Sequence, residues 1–489
     1  MSAGLLLVLA IMTPLLGLCA MLAFCSLKPE RVAIIIVPAC MAISGAVLAM
    51  VMTSGQALTY SLGNWTPPLG LMLRADGVSA VMLMLAAIVI GGVALFSQGQ
   101  FRTKAGEVET RAPFTFWAML LAMWSALNLV FLGQDLFNFF VALEMLTFSA
   151  VTLVCLDGKA ETITAALRYL LFALLGSVLY LLGVALVYGR YGVLDIGLLH
   201  GLVRADAPTF VAIALMTVGL MAKAALFPLH LWLPPAHAGA PAPASAVLSA
   251  LVVKAPFFII LRIWFDMMPP LGATLPAQML AAFGSAAILF CSVIALRQVR
   301  LKLLIAYSTI AQVGYLFLMF PLVLAPGAPP PWETIGWTGG ILQLVSHGLA
   351  KAAMFLAAGL IAEAIGHDRI NELAGVGRRL PLTVFAFAFA GLSLMGLPPS
   401  GGFNAKLMLL TAATMSGAWW IAAIILIGGV LAAGYVFRVL GAAMADADDF
   451  ELKATIPLYR QVAVLALALC AVALGFVPLQ PFALLAIGR

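Results

Sequence analysis

Apolar residues fill long blocks of this chain, and short polar connections separate them. A helix needs about 20 mostly apolar residues to cross the hydrocarbon core of a bilayer. Roughly fourteen blocks reach that length, near residues 4–24, 31–53, 77–97, 113–131, 134–156, 162–188, 208–233, 242–265, 276–296, 303–323, 338–364, 381–415, 418–440 and 459–486. The longest non-apolar stretches, 54–76, 98–112 and 189–207, leave almost nothing for a soluble domain. The pattern predicts an all-α polytopic membrane protein of about 14 transmembrane helices in one domain, 1–489.

Two blocks are interrupted. In the seventh, Lys223 precedes Pro228 and Pro234-Pro235; in the twelfth, Pro398-Pro399-Ser400-Gly401-Gly402 comes before Lys406. Proline removes a backbone donor and clashes with the preceding turn. Such breaks persist at membrane depth only where protein or water satisfies the freed carbonyls. The two broken spans lie five apart and so run in opposite directions. Discontinuous helices at matched positions point to an inverted repeat, here about 113–265 and 276–440, flanked by helices in about 4–97 and 459–486.

Composition agrees. The chain has 489 residues, 64% hydrophobic and 9% charged, with a mean hydropathy of +1.14, against about 25% charged residues in soluble proteins. The net charge of +6 comes from loop residues, and no basic run with interleaved aromatics suggests a nucleic-acid partner. The six cysteines (Cys19, Cys25, Cys40, Cys155, Cys291 and Cys470) stand in apolar blocks without a C-x-x-C pair. They read as buried structural thiols, with no metal or iron–sulfur site. The first block lacks a basic n-region and a cleavage site, so it reads as a retained helix. Connections after odd-numbered blocks carry fourteen Lys and Arg; those after even-numbered blocks and the C-terminal tail carry five, Arg262 among them. The positive-inside rule then places both termini on the non-cytoplasmic side of the cell's inner (plasma) membrane.

The chemistry lies in charges that the blocks retain. Lys223, Lys254, Lys351 and Lys406 fall inside apolar blocks, and an ionised side chain at the bilayer centre costs at least ~2.5–3.5 kcal/mol. Glu144 is the acidic residue deep within a block. A Glu144–Lys223 pair would be a tunable element, in which the lysine holds its proton when paired and releases it when separated; the alternative is a static buried ion pair. Lys254 either passes a proton between the halves or caps carbonyls freed by Pro256. His347 and Lys351, four apart, share one helix face, and histidine titrates near neutrality. Lys406, past the second break, would be the terminal site. His230 and His237 bracket the end of the seventh block, where they would gate or orient the broken helix. Asp135, at the start of the fifth block, either pairs with a neighbouring chain or caps its helix.

These residues resemble the antiporter-like membrane subunits shared by respiratory complex I, membrane-bound hydrogenases and Mrp-type cation/proton antiporters. The carriers are Lys223-Ala-Ala-Leu-Phe-Pro-Leu-His230-Leu-Trp-Leu-Pro-Pro-Ala-His237, Lys302-Leu-Leu-Ile-Ala-Tyr-Ser308, His347-Gly-Leu-Ala-Lys351 and Gly396-Leu-Pro-Pro-Ser-Gly-Gly-Phe403. The resemblance implies fourteen helices with two inverted five-helix units. It makes Glu144 and Lys223 a modulating pair, Lys254 a connector, His347 and Lys351 part of a central polar axis, and Lys406 the terminal site. Residues 60–80 look most like the D subunit of Mrp antiporters, whereas His347-Gly-Leu-Ala-Lys351 is closer to the complex I and hydrogenase subunits. The implied partners are other membrane subunits and the lipid bilayer, and the implied cargo is protons, with Na+ exchanged in the Mrp type. No nucleotide, flavin or iron–sulfur motif is present, so redox driving would come from partners. A stand-alone secondary transporter would instead need convergent Asn, Gln, Ser or aromatic groups around a substrate. A scaffold that has lost pumping would have no use for the lysines.

Overall fold

The computed structural model describes residues 3–24, 28–102, 111–268, 274–324, 330–447, 452–476 and 483–489; Cys25 and Lys104 lie outside the described residues, as do 477–482 within the last block. Among the described residues, twelve helices are long and apolar enough to cross a bilayer. Two shorter apolar helices, Ala207–Lys223 and Pro381–Met395, stop at the expected breaks. The chain is a multi-pass integral membrane protein.

Each break has a local cause. The first helix ends at Lys223, Ala225 takes a left-handed φ of 54°, and helix resumes only at Leu233–Gly239. The second ends before Gly396, whose φ of 81° glycine adopts without penalty. Its continuation, Gly401–Met415, starts from Ser400, whose hydroxyl accepts the Phe403 N–H at 3.1 Å.

Apolar helices that face lipid differ from those buried all round. The outer helices expose large residues, such as Ile35, Leu171 and Val430. The stretch Ala242–Met267 is buried apart from Phe265 and Asp266, and Leu301–Val323 and Trp332–Ile365 nearly so. These three stretches form the centre, and Lys254, Ser308, His347 and Lys351 project from them. Small residues let neighbours close on each other. A β-carbon at Gly176 would lie 2.6 Å from the Gly219 carbonyl oxygen, and one at Gly284 2.5 Å from that of Gly314.

Three features depart from the sequence reading. The all-α expectation misses a hairpin in 54–76, where Leu58–Ser61 pairs antiparallel with Met72–Ala75. Thr59 and Tyr60 favour extended backbone, and Leu73 bridges Gly133, which ties the hairpin to the helix layer. Arg262, counted above as a loop residue, is 6% exposed within the buried stretch Ala242–Met267. Cys19 is exposed rather than buried.

Asp135 takes the capping role, accepting the N–H groups of Phe137 at 2.9 Å and Asn138 at 2.8 Å. It pairs through the backbone with Asp195, which caps the helix Ile196–Leu202 by accepting the Leu198 N–H at 3.1 Å. Burial, with the nearby Asp135 charge adding to it, holds the Asp195 carboxyl above the ordinary carboxylate range. The folded chain therefore binds this proton more tightly than the unfolded one, and stability falls as pH rises through that range. Asp195→Asn keeps a capping oxygen and removes the anion. The variant is expected to melt at higher temperature than the wild type at pH 8, with the gain fading toward about pH 4. Thermal unfolding in detergent at both pH values checks this, and a variant melting lower at pH 8 would contradict it.

Candidate functional site

All four lysines are buried, none more than 6% exposed. The helix Leu136–Val154 carries Glu144 and Thr147 one turn apart, on one face. Lys223, the last residue before the first break, places its Nζ 2.8 Å from Glu144 Oε1 and 3.0 Å from Thr147 Oγ1. The Ser177 hydroxyl also donates to Glu144. The break is held in place by Trp232, whose indole N–H donates to the Ala222 carbonyl at 2.9 Å while its ring stacks on Tyr169 at 4.1 Å. A cavity of about 10 Å³ lies between Thr147, Tyr169, Lys223, Val252 and Pro256. That is close to the space of one water, and it reaches from Lys223 to the helix that bears Lys254.

Lys254 follows a π-helical segment, Leu248–Val252, a form that recurs at functional sites. Its ammonium donates to the Ser249 carbonyl within that segment, rather than to a carbonyl freed by Pro256. The Ser249 hydroxyl meets Thr309 Oγ1 at 2.8 Å, and Thr309 in turn donates to the Ile305 carbonyl at 2.9 Å. Lys351 Nζ donates to that same carbonyl at 3.0 Å and to the Ser308 hydroxyl. Side chains and carbonyls in contact therefore lead from Lys254 to Lys351 across three helices, by way of the Ser249 carbonyl and hydroxyl, Thr309 and the Ile305 carbonyl. His347 is buried within electrostatic reach of Lys254, Lys351 and Lys406, and among the described residues neither of its ring nitrogens has a hydrogen-bond partner.

Lys406 lies on the far side of the second break. Its Nζ donates to the Leu394 carbonyl at 2.6 Å, at the open end of the helix Pro381–Met395, and sits 4.4 Å over the Tyr315 ring. A cation is favoured both at a helix C-terminus and over an aromatic face. Gln312 also donates to the Leu394 carbonyl at 3.1 Å, and Gln343 to Gln312 at 2.9 Å. Lys406 borders a cavity of about 280 Å³ formed with Leu397, Phe403, Ile425 and Val430.

The two remaining candidate histidines separate. His237 is fully buried, stacks on Phe355 at 4.6 Å and, among the described residues, has no hydrogen-bond partner at either ring nitrogen. It lies within electrostatic reach of Lys254, Lys302 and Lys351, and Lys302 donates to the nearby Ala240 carbonyl at 3.0 Å. His230 stacks on Phe227 at 5.4 Å, inside the break.

Residues 133–432 match the family described as NADH:quinone oxidoreductase/Mrp antiporter, transmembrane. The chain belongs to this family. Among curated proteins, it is 34% identical over 405 residues to the N subunit of the NADH-quinone oxidoreductase of Desulforudis audaxviator, covering 81% of this chain and 77% of that one. It is 31% identical over 376 residues to the D subunit of the Na(+)/H(+) antiporter of Alkalihalophilus pseudofirmus, covering 76% and 72%. Among solved structures, a chain of the Mrp complex from Dietzia sp. superposes with a TM-score of 0.85 at 26% identity, covering 97% and 95% of the two chains. A chain of the archaeal membrane-bound sulfane sulfur reductase gives 0.85 at 28% identity, covering 96% and 94%.

In this member of the NADH:quinone oxidoreductase/Mrp antiporter family, the sequence reading misses a second buried charge cluster. The Arg262 guanidinium donates to Asp76 at 2.6 and 2.9 Å, to Asp266 at 2.9 Å and to Ser79 at 2.9 Å, and it lies 4.7 Å from the Phe258 ring. Asp76 also caps the helix Gly77–Ser97. The visible signal is weak: an Arg and an Asp four apart at the end of an apolar block. Ser249, Thr309 and the Ile305 carbonyl escape it as well. The motif Lys302-Leu-Leu-Ile-Ala-Tyr-Ser308 contains Ile305 and Ser308, although nothing in its spelling says that they face Lys351.

Proposed function

We propose that this chain is a proton-translocating subunit of a larger membrane complex. Protons move by protonation changes along Glu144, Lys223, Lys254, His347, Lys351 and Lys406, with transient water between them. The observation that carries this reading is the set of contacts between Lys254 and Lys351 in the protein centre, in which the Ser249 and Ile305 carbonyls hold the ammonium groups and the hydroxyls of Ser249, Thr309 and Ser308, with water, can carry the proton. A structural ion pair needs no such extension into carbonyls and hydroxyls on three helices. The two broken helices support fourteen spans in two inverted five-helix units. The loop charge bias supports placement in the plasma membrane with both termini outside. His237, beside Lys302, then lies on the cytoplasmic side, where its unpartnered ring suits it to gate an inlet.

The assembled complex is, on this reading, an Mrp-type exchanger in which protons moving through this chain drive Na+ outward, and the chain is its D subunit. The likeness to the D subunit of a Na(+)/H(+) antiporter and to the Mrp complex supports it. A quinone-oxidoreductase assembly is the second reading, favoured by the 34% identity to the N subunit of an NADH-quinone oxidoreductase. Purifying the tagged chain from its native membrane separates the two: small antiporter subunits among the copurified proteins support the first, and redox subunits the second. In the reconstituted complex, Lys406→Ala is expected to lower proton transport roughly tenfold or more with all partners still bound. Transport at the wild-type rate would overturn the terminal role of Lys406.

A further inference from the structure

The direct hydrogen bonds of Lys351 and of Lys406 do not meet in a group able to relay a proton. Lys351 reaches Ser308, and Lys406 reaches the Leu394 carbonyl, which it shares with Gln312. A carbonyl accepts but holds no proton to release, and a carboxamide is a poor acid and base. Besides His347 and the Ser346–Ser393 hydroxyl pair, which meets at 2.6 Å, a further side chain enters this space. Tyr435, on the helix Trp419–Met444, is fully buried and carries the one hydroxyl in that helix. Its hydroxyl lies beside the side chains of Ser308 and Gln312 and near Tyr315, whose ring underlies Lys406. Among the described residues none meets it at regular hydrogen-bond geometry, and Ser308 and Gln312 are the side chains within its reach. A buried hydroxyl without a well-formed hydrogen bond costs stability, whereas a phenylalanine would fill the same space without that cost. The rest of the helix is apolar apart from Arg438, which caps carbonyls of Leu296 and Gln298 at 2.5 and 2.9 Å.

We propose that the Tyr435 hydroxyl relays protons between Lys351 and Lys406. The inference rests on the proton-transport reading above. The Lys351 ammonium gives a proton to the Ser308 oxygen as Ser308 passes its own to the Tyr435 oxygen. The original phenolic proton leaves for the Lys406 amine through water. Lys351 ends neutral, Lys406 ends as the ammonium, and both hydroxyls are unchanged. A hydroxyl suits this step because it accepts on its lone pairs while donating its proton.

The test is proton transport by the complex in proteoliposomes. Tyr435→Phe removes only the oxygen and is expected to slow transport roughly tenfold or more, with assembly and melting temperature kept. Tyr180→Phe is the control. It also loses a buried hydroxyl, one that donates to the Leu136 carbonyl at 2.9 Å, and it is expected to transport at the wild-type rate. If Tyr435→Phe does not assemble, a fluorinated tyrosine placed at position 435 keeps the shape but alters hydroxyl acidity. A changed rate and pH profile supports the relay, and an unchanged one overturns it. Wild-type transport by Tyr435→Phe, alongside loss in Lys351→Met, overturns the role of Tyr435 alone. Wild-type transport in both overturns the proton-transport reading itself.

Discussion

Replacing Lys223 by methionine in the assembled complex is expected to lower proton transport roughly tenfold or more. Lys223 lies between a carboxylate at 2.8 Å and the small cavity leading to the Lys254 helix. It is the point where a proton held by a pair could pass inward. A loss of transport alone would not separate this role from that of a static ion pair. Removing one partner of a buried pair leaves the other uncompensated, at a cost of about 3–5 kcal/mol. Glu144→Gln combined with Lys223→Met removes both charges and is expected to recover most of that stability, because a neutral pair needs no compensation. Transport should stay low in the double variant. Thermal unfolding and transport measured on the same preparations decide the matter. If transport returned together with stability, Lys223 would be structural.

The largest expected effect on stability is at Arg262. Its guanidinium satisfies Asp76 through two hydrogen bonds and also reaches Asp266 and Ser79. Arg262→Leu leaves Asp76, 2% exposed, as a buried anion without its main partner, which should cost about 3–5 kcal/mol. Arg262→Lys keeps the charge but loses the planar fork, and should fall between the wild type and Arg262→Leu. Adding Asp76→Asn to Arg262→Leu removes the stranded charge and retains a helix-capping oxygen. The double variant is therefore expected to melt well above the single one. A single variant as stable as the wild type would mean that the cluster contributes little.

The sequence carries some of this architecture openly. Prolines and glycines mark both breaks because they act on the backbone wherever they stand. The Glu144–Lys223 contact is legible because a lone carboxylate deep in an apolar block has few charges to pair with. Other parts depend on which helix faces which. Lys254 takes a carbonyl of its own π-helical segment, and the sequence does not announce that shift from α geometry. Ser249 and Thr309 are 60 positions apart, and each alone reads as an ordinary helix serine or threonine bonded to its own turn. Arg262 reads as a loop residue because an arginine at the edge of an apolar block usually belongs to the loop beyond it, and the aspartate that draws it inward lies 186 residues earlier. Asp135 has two open roles in the sequence, and the N–H groups of Phe137 and Asn138 on its carboxylate show the capping one. The hairpin stays hidden because two four-residue strands are too short for alternation to stand out.

Lys351 stands where the central contacts converge, on the Ile305 carbonyl and Ser308, and among the described residues no carboxylate near it offers a static role. The most direct measurement is proton uptake by proteoliposomes that hold the intact complex with Lys351→Met. Uptake at or below roughly a tenth of the wild-type rate, with every partner subunit present, is the expected result. Wild-type uptake from an intact complex would mean that protons do not travel through these buried lysines.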